Sequence, residues 1–219
     1  MIKKNICFIT VLAVFFSFSI FSQETDDTIY LPEPELSGSM PLMEALSKRQ
    51  SQRSFAEKEL SNQMLANLLW AAFGINRPES GKRTAPSAHN WQETEIYAVM
   101  EQGAYLYNAK KNMLTEVHDR DIRGKTGKQP FVKDAPLNLV YVADFSKMTD
   151  ADDTQKPAYA HADVAFIGQN VYLFCASEGL ATVIRAYIDK EALAEELNLP
   201  EHKRVILSQT VGFPKPGTE

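Results

Sequence analysis

The sequence predicts an α+β sandwich built on a central, mostly antiparallel sheet. Helical patterns come first, and strands and helices then mix, an order that favours helices packed on an antiparallel sheet over strict strand–helix alternation. A nearly unbroken apolar run, Leu137 to Ala143, reads as a strand buried on both faces. No strand is followed by a glycine-rich turn opening a helix, so a Rossmann-type nucleotide site is not indicated.

In chain order, Thr25 to Met40 is acidic, carries Pro32 and Pro34, and reads as an extended lead-in. Leu42 to Lys48 has helical spacing, with Leu42, Ala45 and Leu46 on one face. Ser61 suits the cap of a second helix, whose stripe is Leu65, Leu68, Leu69 and Ala72 and whose stop is Gly74. Ile75 to Asn90 is polar and rich in turn formers, and reads as a long loop. Glu95 to Met100 alternates, with Ile96, Ala98 and Met100 on one side of a strand. Gly103 to Leu114 reads as a hairpin built on Tyr105 and Tyr107, and His118 to Lys128, charged and glycine-bearing, as a mobile surface segment. Met148 to Pro157 is acidic, lacks apolar periodicity and reads as loop. Tyr159 to Glu178 carries the strongest helical pattern: Val164, Ile167, Val171 and Phe174 or Cys175 recur at helical spacing, and Gly179 follows as a stop. Such an apolar helix belongs at the centre of the fold. Thr182 to Ile188 reads as a strand, Lys190 to Leu197 as a short helix, and Arg204 to Val211 as a strand; there is no internal repeat.

Met1 to Ser22 reads as a secretory signal. Lys3 and Lys4 precede an apolar run from Ile6 to Phe21, broken only by Thr10, Ser17 and Ser19. Ser22 is a small residue suited to cleavage, and Gln23 and Glu24 turn the chain polar. The run is short for a membrane span, which favours cleavage over a retained anchor. Cys7 lies near the start of the run, which argues against a lipid-bearing cysteine at the cleavage point. The expected organisation is a signal peptide at 1–22, a lead-in at 23–40 and one domain at 41–219, exported to the periplasm.

Removing 1–22 takes away two lysines and no acids, which moves the formal charge from −5 to −7. That balance argues against general nucleic-acid binding, which needs a net basic surface, but not against a basic pocket for one phosphate. The remaining 197 residues suit one domain with a substantial core. They hold a single cysteine, Cys175, so an intrachain disulfide is impossible there. In its apolar helix Cys175 reads as a small hydrophobe and not a nucleophile.

Four constellations bear on chemistry. Arg49-Gln-Ser51-Gln-Arg53 places two guanidinium groups and a hydroxyl within five residues, able to converge on one anion through paired, charge-assisted bonds. The plainer reading, favoured on spacing alone, is a solvated helix end. Arg83-Thr-Ala-Pro86-Ser87-Ala88-His89-Asn90-Trp91-Gln92 offers small residues for close backbone approach and polar groups for a nitrogen-rich edge; an ordinary capped turn is an equal alternative. The histidines His89, His118, His161 and His202 lack paired ligand spacing, so a metal site is not expected. No Gly-x-Ser-x-Gly elbow is present, which sets aside a serine hydrolase of that type.

Taken in order, the motifs resemble the nitroreductase superfamily, and within it the SagB-type or thiazole-oxidase-like dehydrogenases. The resemblance runs from about Met40 to Lys215. It rests on Ser47-Lys-Arg49-Gln-Ser51-Gln-Arg53-Ser-Phe55, Leu68-Leu-Trp70-Ala-Ala-Phe-Gly74-Ile-Asn76-Arg77, Arg83-Thr-Ala-Pro86-Ser87-Ala88-His89-Asn90, Asp163-Val-Ala-Phe-Ile-Gly-Gln169-Asn170-Val-Tyr-Leu, Gly179-Leu-Ala-Thr-Val, and Thr210-Val-Gly212-Phe-Pro214-Lys215. It implies a homodimeric α-β-α sandwich with FMN at the subunit interface. By the match, Arg49, Ser51 and Arg53 contact the flavin and its phosphate. Pro86, Ser87, Ala88 and Asn90 reach the flavin of the neighbouring subunit. The backbone of Ile184, Arg185 and Ala186 lies beside the reactive edge of the ring. Relatives carry a basic pair near the C-terminus; here the chain ends soon after Lys215, which is left to share the phosphate with Arg49 and Arg53.

The resemblance implies an FMN-dependent oxidoreductase that passes hydride through flavin N5 from a small-molecule donor to nitroaromatic, quinone or similar acceptors, with no protein nucleophile required. Two alternatives stand beside it: a flavin dehydrogenase or oxidase acting on a ring or peptide-derived substrate, and a secreted binding module that has lost the cofactor. Export puts NADH and NADPH in question as donors. The substrate is not legible in the residues.

Overall fold

The computed structural model describes residues 28–217. The elements are β1 (Thr28–Tyr30), α1 (Leu42–Lys48), α2 (Asn62–Phe73), β2 (Ile75–Arg77), β3 (Lys82–Arg83), β4 (Thr94–Met100), β5 (Gly103–Asn108), β6 (Met113–His118), β7 (Leu137–Asp144), α3 (Lys156–Glu178), β8 (Ala181–Arg185), α4 (Lys190–Glu196) and β9 (Lys203–Gly212). Seven strands form one sheet in the order β1-β6-β5-β4-β7-β9-β8, and every neighbouring pair is antiparallel. This is the predicted α+β sandwich.

β7 lies at the heart of the sheet between β4 and β9, and all eight of its residues are buried. Its alternation feeds two cores. Leu139, Tyr141 and Ala143 join Ile96 and Ala98 of β4 under α2 and α3. Val140 and Val142 join Tyr97 and Val99 on the opposite face, where Leu193 of α4 closes the cluster. The two-residue period of a strand sorts consecutive side chains to opposite layers, so an unbroken apolar run is what a doubly covered strand requires.

α3 spans 23 residues and packs on α1, α2 and the sheet. Val164, Ile167, Val171 and Cys175 are fully buried along one stripe. The helix ends at Gly179 with φ +68, a left-handed cap open to glycine without strain. Burial pushes the Cys175 thiol well above its ordinary range, consistent with a packing role. Ser61 caps α2 by accepting from the Met64 amide at 3.2 Å. Gly74 ends α2 in extended backbone, with φ −69 and ψ 166, where a Cβ would fall 2.5 Å from Trp70 Cδ1 and only glycine fits.

Several expectations are corrected. α3 begins at Lys156, three residues earlier than the apolar period indicates, because Pro157 is tolerated in a first turn whose amides need no helical acceptor. The strand predicted over Thr182 to Ile188 ends at Arg185. Ile75 to Asn90 is not plain loop: β2 and β3 form a two-stranded ribbon and a 3-10 turn covers Ala88–Asn90. On α1 only Ala45 is buried; Leu42 and Leu46 are 62% and 43% exposed, because α3 meets one narrow face of this short helix. The His118–Lys128 segment is exposed over much of its length, as expected, but is anchored through buried residues. Ile122 and Thr126 are buried, and the Thr126 carbonyl accepts from Arg185 Nη1 and Ser208 Oγ. The expected lead-in contributes β1, which pairs with β6 at the sheet edge. The signal segment lies outside the described residues.

Leu69 of α2 is fully buried, so Leu69→Ala is expected to cost about 2–5 kcal/mol, whereas Leu36→Ala at a 67% exposed site stays within about 0.5 kcal/mol. Thermal unfolding of the two variants checks this.

Candidate functional site

The Arg49–Arg53 segment leaves the end of α1 and runs beside the outer edge of β8. The Arg49 amide closes α1 on the Ala45 carbonyl. The Gln52 amide then donates to the Thr182 carbonyl of β8 at 3.0 Å. Ser51 Oγ lies 2.8 Å from the hydroxyl of Tyr172 on α3, and that hydroxyl accepts from the Ile184 amide at 3.0 Å. The phenol oxygen thus joins the Ser51 hydroxyl to the β8 backbone. The Arg49 guanidinium sits over the Tyr172 ring, 5.2 Å from its centroid, a cation–π contact. Arg49 is half-buried and Arg53 exposed.

The C-terminal segment completes this wall. Phe55 is buried and bridges to Pro214, the Ala56 amide donates to the Phe213 carbonyl, and the Lys215 amide donates to the Ser54 carbonyl at 3.3 Å. Lys215 is thereby brought beside the arginine segment. Between these pieces lies a cleft of about 500 Å³, lined by Lys48, Arg49, Gln52, Tyr172, Thr182 and Pro214 among others. Its volume falls within the range of small-molecule sites, and its cationic rim suits an anionic group. A larger cavity of about 590 Å³, lined in part by Lys58, Met100, Arg123 and Lys133, contains none of the predicted residues. Its Arg123 is paired with Asp121 at 2.8 Å, as Lys48 of the smaller cleft is with Glu44 at 2.7 Å; the smaller cleft is the candidate because Arg49 of the predicted segment lines it.

The Pro86–Asn90 loop lies elsewhere. The Ala88 amide donates to Asp163 Oδ2 at 2.9 Å, near the start of α3. Tyr172 follows Asp163 by nine positions on the helix, which at 1.5 Å per residue separates the two anchors by about 14 Å along the axis. One chain therefore does not bring Ser87 and Asn90 onto Arg49. Pro86, His89 and Asn90 are exposed, and Ser87 and Ala88 half-buried. Arg83 supports the loop from behind: it donates to Gln92 Oε1 at 2.8 Å and to the Phe73 carbonyl at 2.9 Å, and it stacks over Phe73.

Along β8, the parity of the strand splits the predicted trio. Ile184 faces α3, where its Cδ1 would stand 2.6 Å from a Cβ on Gly168. Arg185 faces the other way and is 5% exposed. Its Nη1 donates to the Thr126 carbonyl and its Nη2 to Asn138 Oδ1, both at 2.9 Å, with Nε left without a partner among the described residues. Desolvation in this pocket brings Arg185 down to about 10. None of Ile184, Arg185 and Ala186 lines the cleft, and the Arg185 side chain is a structural strut. Ala186 is exposed just beyond it.

Residue patterns assigned no role to Tyr172 or Asp163, and named Gln92 only as a polar group of the loop. Tyr172 ties Ser51 to β8 yet lies 121 positions from Ser51. Gln92 organises the 86–92 loop through its amide. Asp163 was open to detection: it occupies the buried stripe of α3, one turn before Ile167, where a carboxylate demands a reason.

A family model described as "Nitroreductase family" matches residues 46–213. A Methanocaldococcus jannaschii protein carrying a provisional nitroreductase name is 29% identical over 192 residues, covering 83% of this chain and 96% of that protein. A solved structure from Ralstonia eutropha, also provisionally named a nitroreductase, superposes with a TM-score of 0.82 at 38% identity and covers 86% of this chain and 90% of that one. A structure named as an NADH oxidase from Clostridium acetobutylicum shares the fold, with a TM-score of 0.58 at 23% identity over 79% of this chain and 89% of that one.

A Cβ at Gly127 would fall 1.8 Å from Arg185 Nη1. Gly127→Ala is expected to displace the guanidinium from its two acceptors and destabilise the protein by about 1–3 kcal/mol, read from the urea midpoint.

Proposed function

The chain belongs to the nitroreductase family, and from that premise we propose that it is an FMN-dependent oxidoreductase working as a homodimer. The observation that carries this reading is the arginine segment fastened to the edge of β8 by Gln52, Ser51 and Tyr172, beside a cleft of suitable volume. Arg49, Ser51 and Arg53, with Lys215 nearby, would hold the phosphate. The main chain of Ile184, Arg185 and Ala186 would hold the ring on one side, and Pro86, Ser87, Ala88 and Asn90 of a second copy on the other. When bound, FMN supplies hydride transfer at N5 between a small-molecule donor and a nitroaromatic, quinone or similar acceptor.

The chain's own groups then have defined tasks. Two guanidinium forks and a hydroxyl give an anion more donors than one lysine can. Tyr172 fixes Ser51 and keeps Arg49 from collapsing into solvent. The second copy is supported by exposed apolar side chains on two packed helices: Leu42, Met43 and Leu46 on α1 and Phe166 on α3 are each at least 43% exposed. Such a patch marks an association surface, and association answers the 14 Å separation of the loop from the arginines.

Within the family, the motif order from Ser47 to Lys215 supports the SagB-type or thiazole-oxidase-like branch, in which a ring or peptide-derived substrate gives up hydride. Peroxide production with an organic donor and none with NADH would select that direction. The same reading takes 1–22 as a cleaved signal, 23–40 as the lead-in and 41–219 as the flavin domain of an exported, periplasmic protein.

Purified protein titrated with FMN should bind it and turn yellow. Arg49→Ala is expected to weaken binding by about 1–2 kcal/mol, roughly 5- to 30-fold in Kd. Colourless protein that ignores added FMN, or an unchanged Kd in the variant, overturns the assignment.

A further inference from the structure

The loop proposed to reach a neighbour's flavin is held in a disfavoured shape. His89, Asn90 and Gln92 have φ of 49°, 56° and 49°, three left-handed non-glycine residues within four positions. Such a segment persists only where its surroundings over-determine it. The Gln92 amide donates to Ser87 Oγ at 3.0 Å, and its side chain is gripped by Arg83, the Gly81 carbonyl and Asn90. Trp91 is stacked on His89 at 4.6 Å and meets the edge of Tyr159 at 5.4 Å. The remaining anchor is the Ala88 amide on Asp163.

Asp163 is 3% exposed, and beside it lies Glu93, the residue that ends the loop, with no exposure at all. Glu93 Oε1 accepts from Thr94 Oγ1 at 3.2 Å. Glu93 Oε2 is buried with no donor among the described residues. A proton on that oxygen makes it a donor, and the carboxyl that acts on it is that of Asp163. Two adjacent buried carboxyls cannot both ionise without a counter-charge. Asp163 is the charged group facing Glu93 from α3, where Tyr159 stands one turn earlier. From the 81–92 segment come Arg83, committed to Gln92 and the Phe73 carbonyl, and exposed His89. From the end of β7 and the turn after it come Asp144, paired with His202, and Lys147, which reaches the Gln92 carbonyl. Glu95 points to Lys203. Among the described residues none of these forms an ion pair with Glu93 or Asp163.

We propose that Glu93 and Asp163 share one proton, and that this proton is a latch: while it bridges them, Asp163 holds the Ala88 amide and the 86–92 loop keeps the shape in which it completes the neighbouring site. The pair positions the loop and takes no part in chemistry. The functional half of the inference rests on the proposed flavin site; the latch itself does not.

Burial pushes Glu93 up to about 7 and raises Asp163 as well. The folded chain therefore keeps a proton that an unfolded chain releases near the ordinary 4.5 of a glutamate. The stability contributed by this proton is complete in acid, falls as pH rises above about 4.5, and is gone once pH has passed about 7. Ejecting it leaves two buried negative charges in contact, and the separable contact is the loop.

The test reads the apoprotein first. Trp91 is one of two tryptophans, so a Trp70→Phe background isolates it. His89→Asn is added because a protonated imidazole stacked on the indole would quench it by itself, and asparagine tolerates the left-handed backbone. Between pH 5 and 9 the parent should show a one-proton change in Trp91 emission with a midpoint near 7. Glu93→Gln, which donates permanently, should abolish the change and keep the low-pH signal. Asp163→Asn, which still accepts from Ala88 through its side-chain oxygen and leaves no second carboxylate to repel an ionised Glu93, should likewise abolish the change. A parent without the change, or variants that leave its midpoint where it was, overturns the latch. FMN titrations of the same proteins form a second arm. Parent affinity should fall at least threefold from pH 6 to pH 8.5, and Glu93→Gln should hold the pH 6 value throughout. A clear Trp91 change with pH-independent FMN affinity overturns the link to the site. FMN binding to none of the proteins overturns the flavin reading, while the emission arm still decides the latch.

Discussion

β8 ends the sheet, and its outer edge is the constraint from which the rest of the site follows. A terminal strand presents backbone groups that no neighbouring strand can satisfy. Here the Thr182 carbonyl takes the Gln52 amide, and the Ile184 amide gives its proton to Tyr172. Covering the edge with an irregular segment and one phenol, and not with another strand, leaves a cleft where a strand would have filled the space. The arginines lie in the covering segment, so satisfying the edge and bringing Arg49 to the cleft are one structural event. Tyr172 is the joint: its hydroxyl serves Ser51 and Ile184, and its ring carries the Arg49 guanidinium.

Behind this edge the protein is built for stiffness. β7 is buried on both faces, and α3 lies on the sheet with a stripe that is apolar but for Asp163. Polar groups that penetrate the interior are cross-linked: Arg185, Asn138, Thr126, Ser208 and Thr210 form one hydrogen-bonded cluster beneath β8. That cluster fixes the end of β8 from the side away from the cleft, so the main chain from Ile184 to Ala186 is presented on a rigid support. The same helix anchors the arginine segment through Tyr172 and the 86–92 loop through Asp163, the two halves of the proposed composite site. Two-fold pairing is the economical way to let one chain's loop meet another chain's arginines, because each interface patch then contributes twice.

What the sequence disclosed was local. The continuous run of β7, the stripe and glycine stop of α3, and the Ser61 cap are each written within a few residues, and each is present in the structure. The proximity of Arg49, Ser51 and Arg53 was legible for the same reason. What escaped depends on distant partners. Periodicity puts Leu42 and Leu46 on one face of α1 but cannot say that α3 covers only Ala45. The charge and glycines of 118–128 indicate surface, yet Thr126 is buried because Arg185 and Ser208 require its carbonyl. Strand parity sends the Arg185 side chain away from the cleft, and parity is set by register with β9, which a single strand does not reveal. Asp163 stood in plain view on an apolar stripe, but its meaning appeared only with Glu93, 70 positions away, beside it.

The central claim is that each flavin site draws its arginines from one chain and its 86–90 loop from another, and complementation measures it most directly. An Arg49→Ala, Arg53→Ala chain is co-refolded with a Ser87→Ala, Asn90→Ala chain, and the mixed dimer is isolated by orthogonal tags. Each parent homodimer should bind FMN weakly. The mixed dimer should bind one FMN per dimer with the affinity of the unaltered protein, since one of its two sites then contains no substituted residue. A mixed dimer that binds no better than its parents, or chains that never associate, contradicts the composite site.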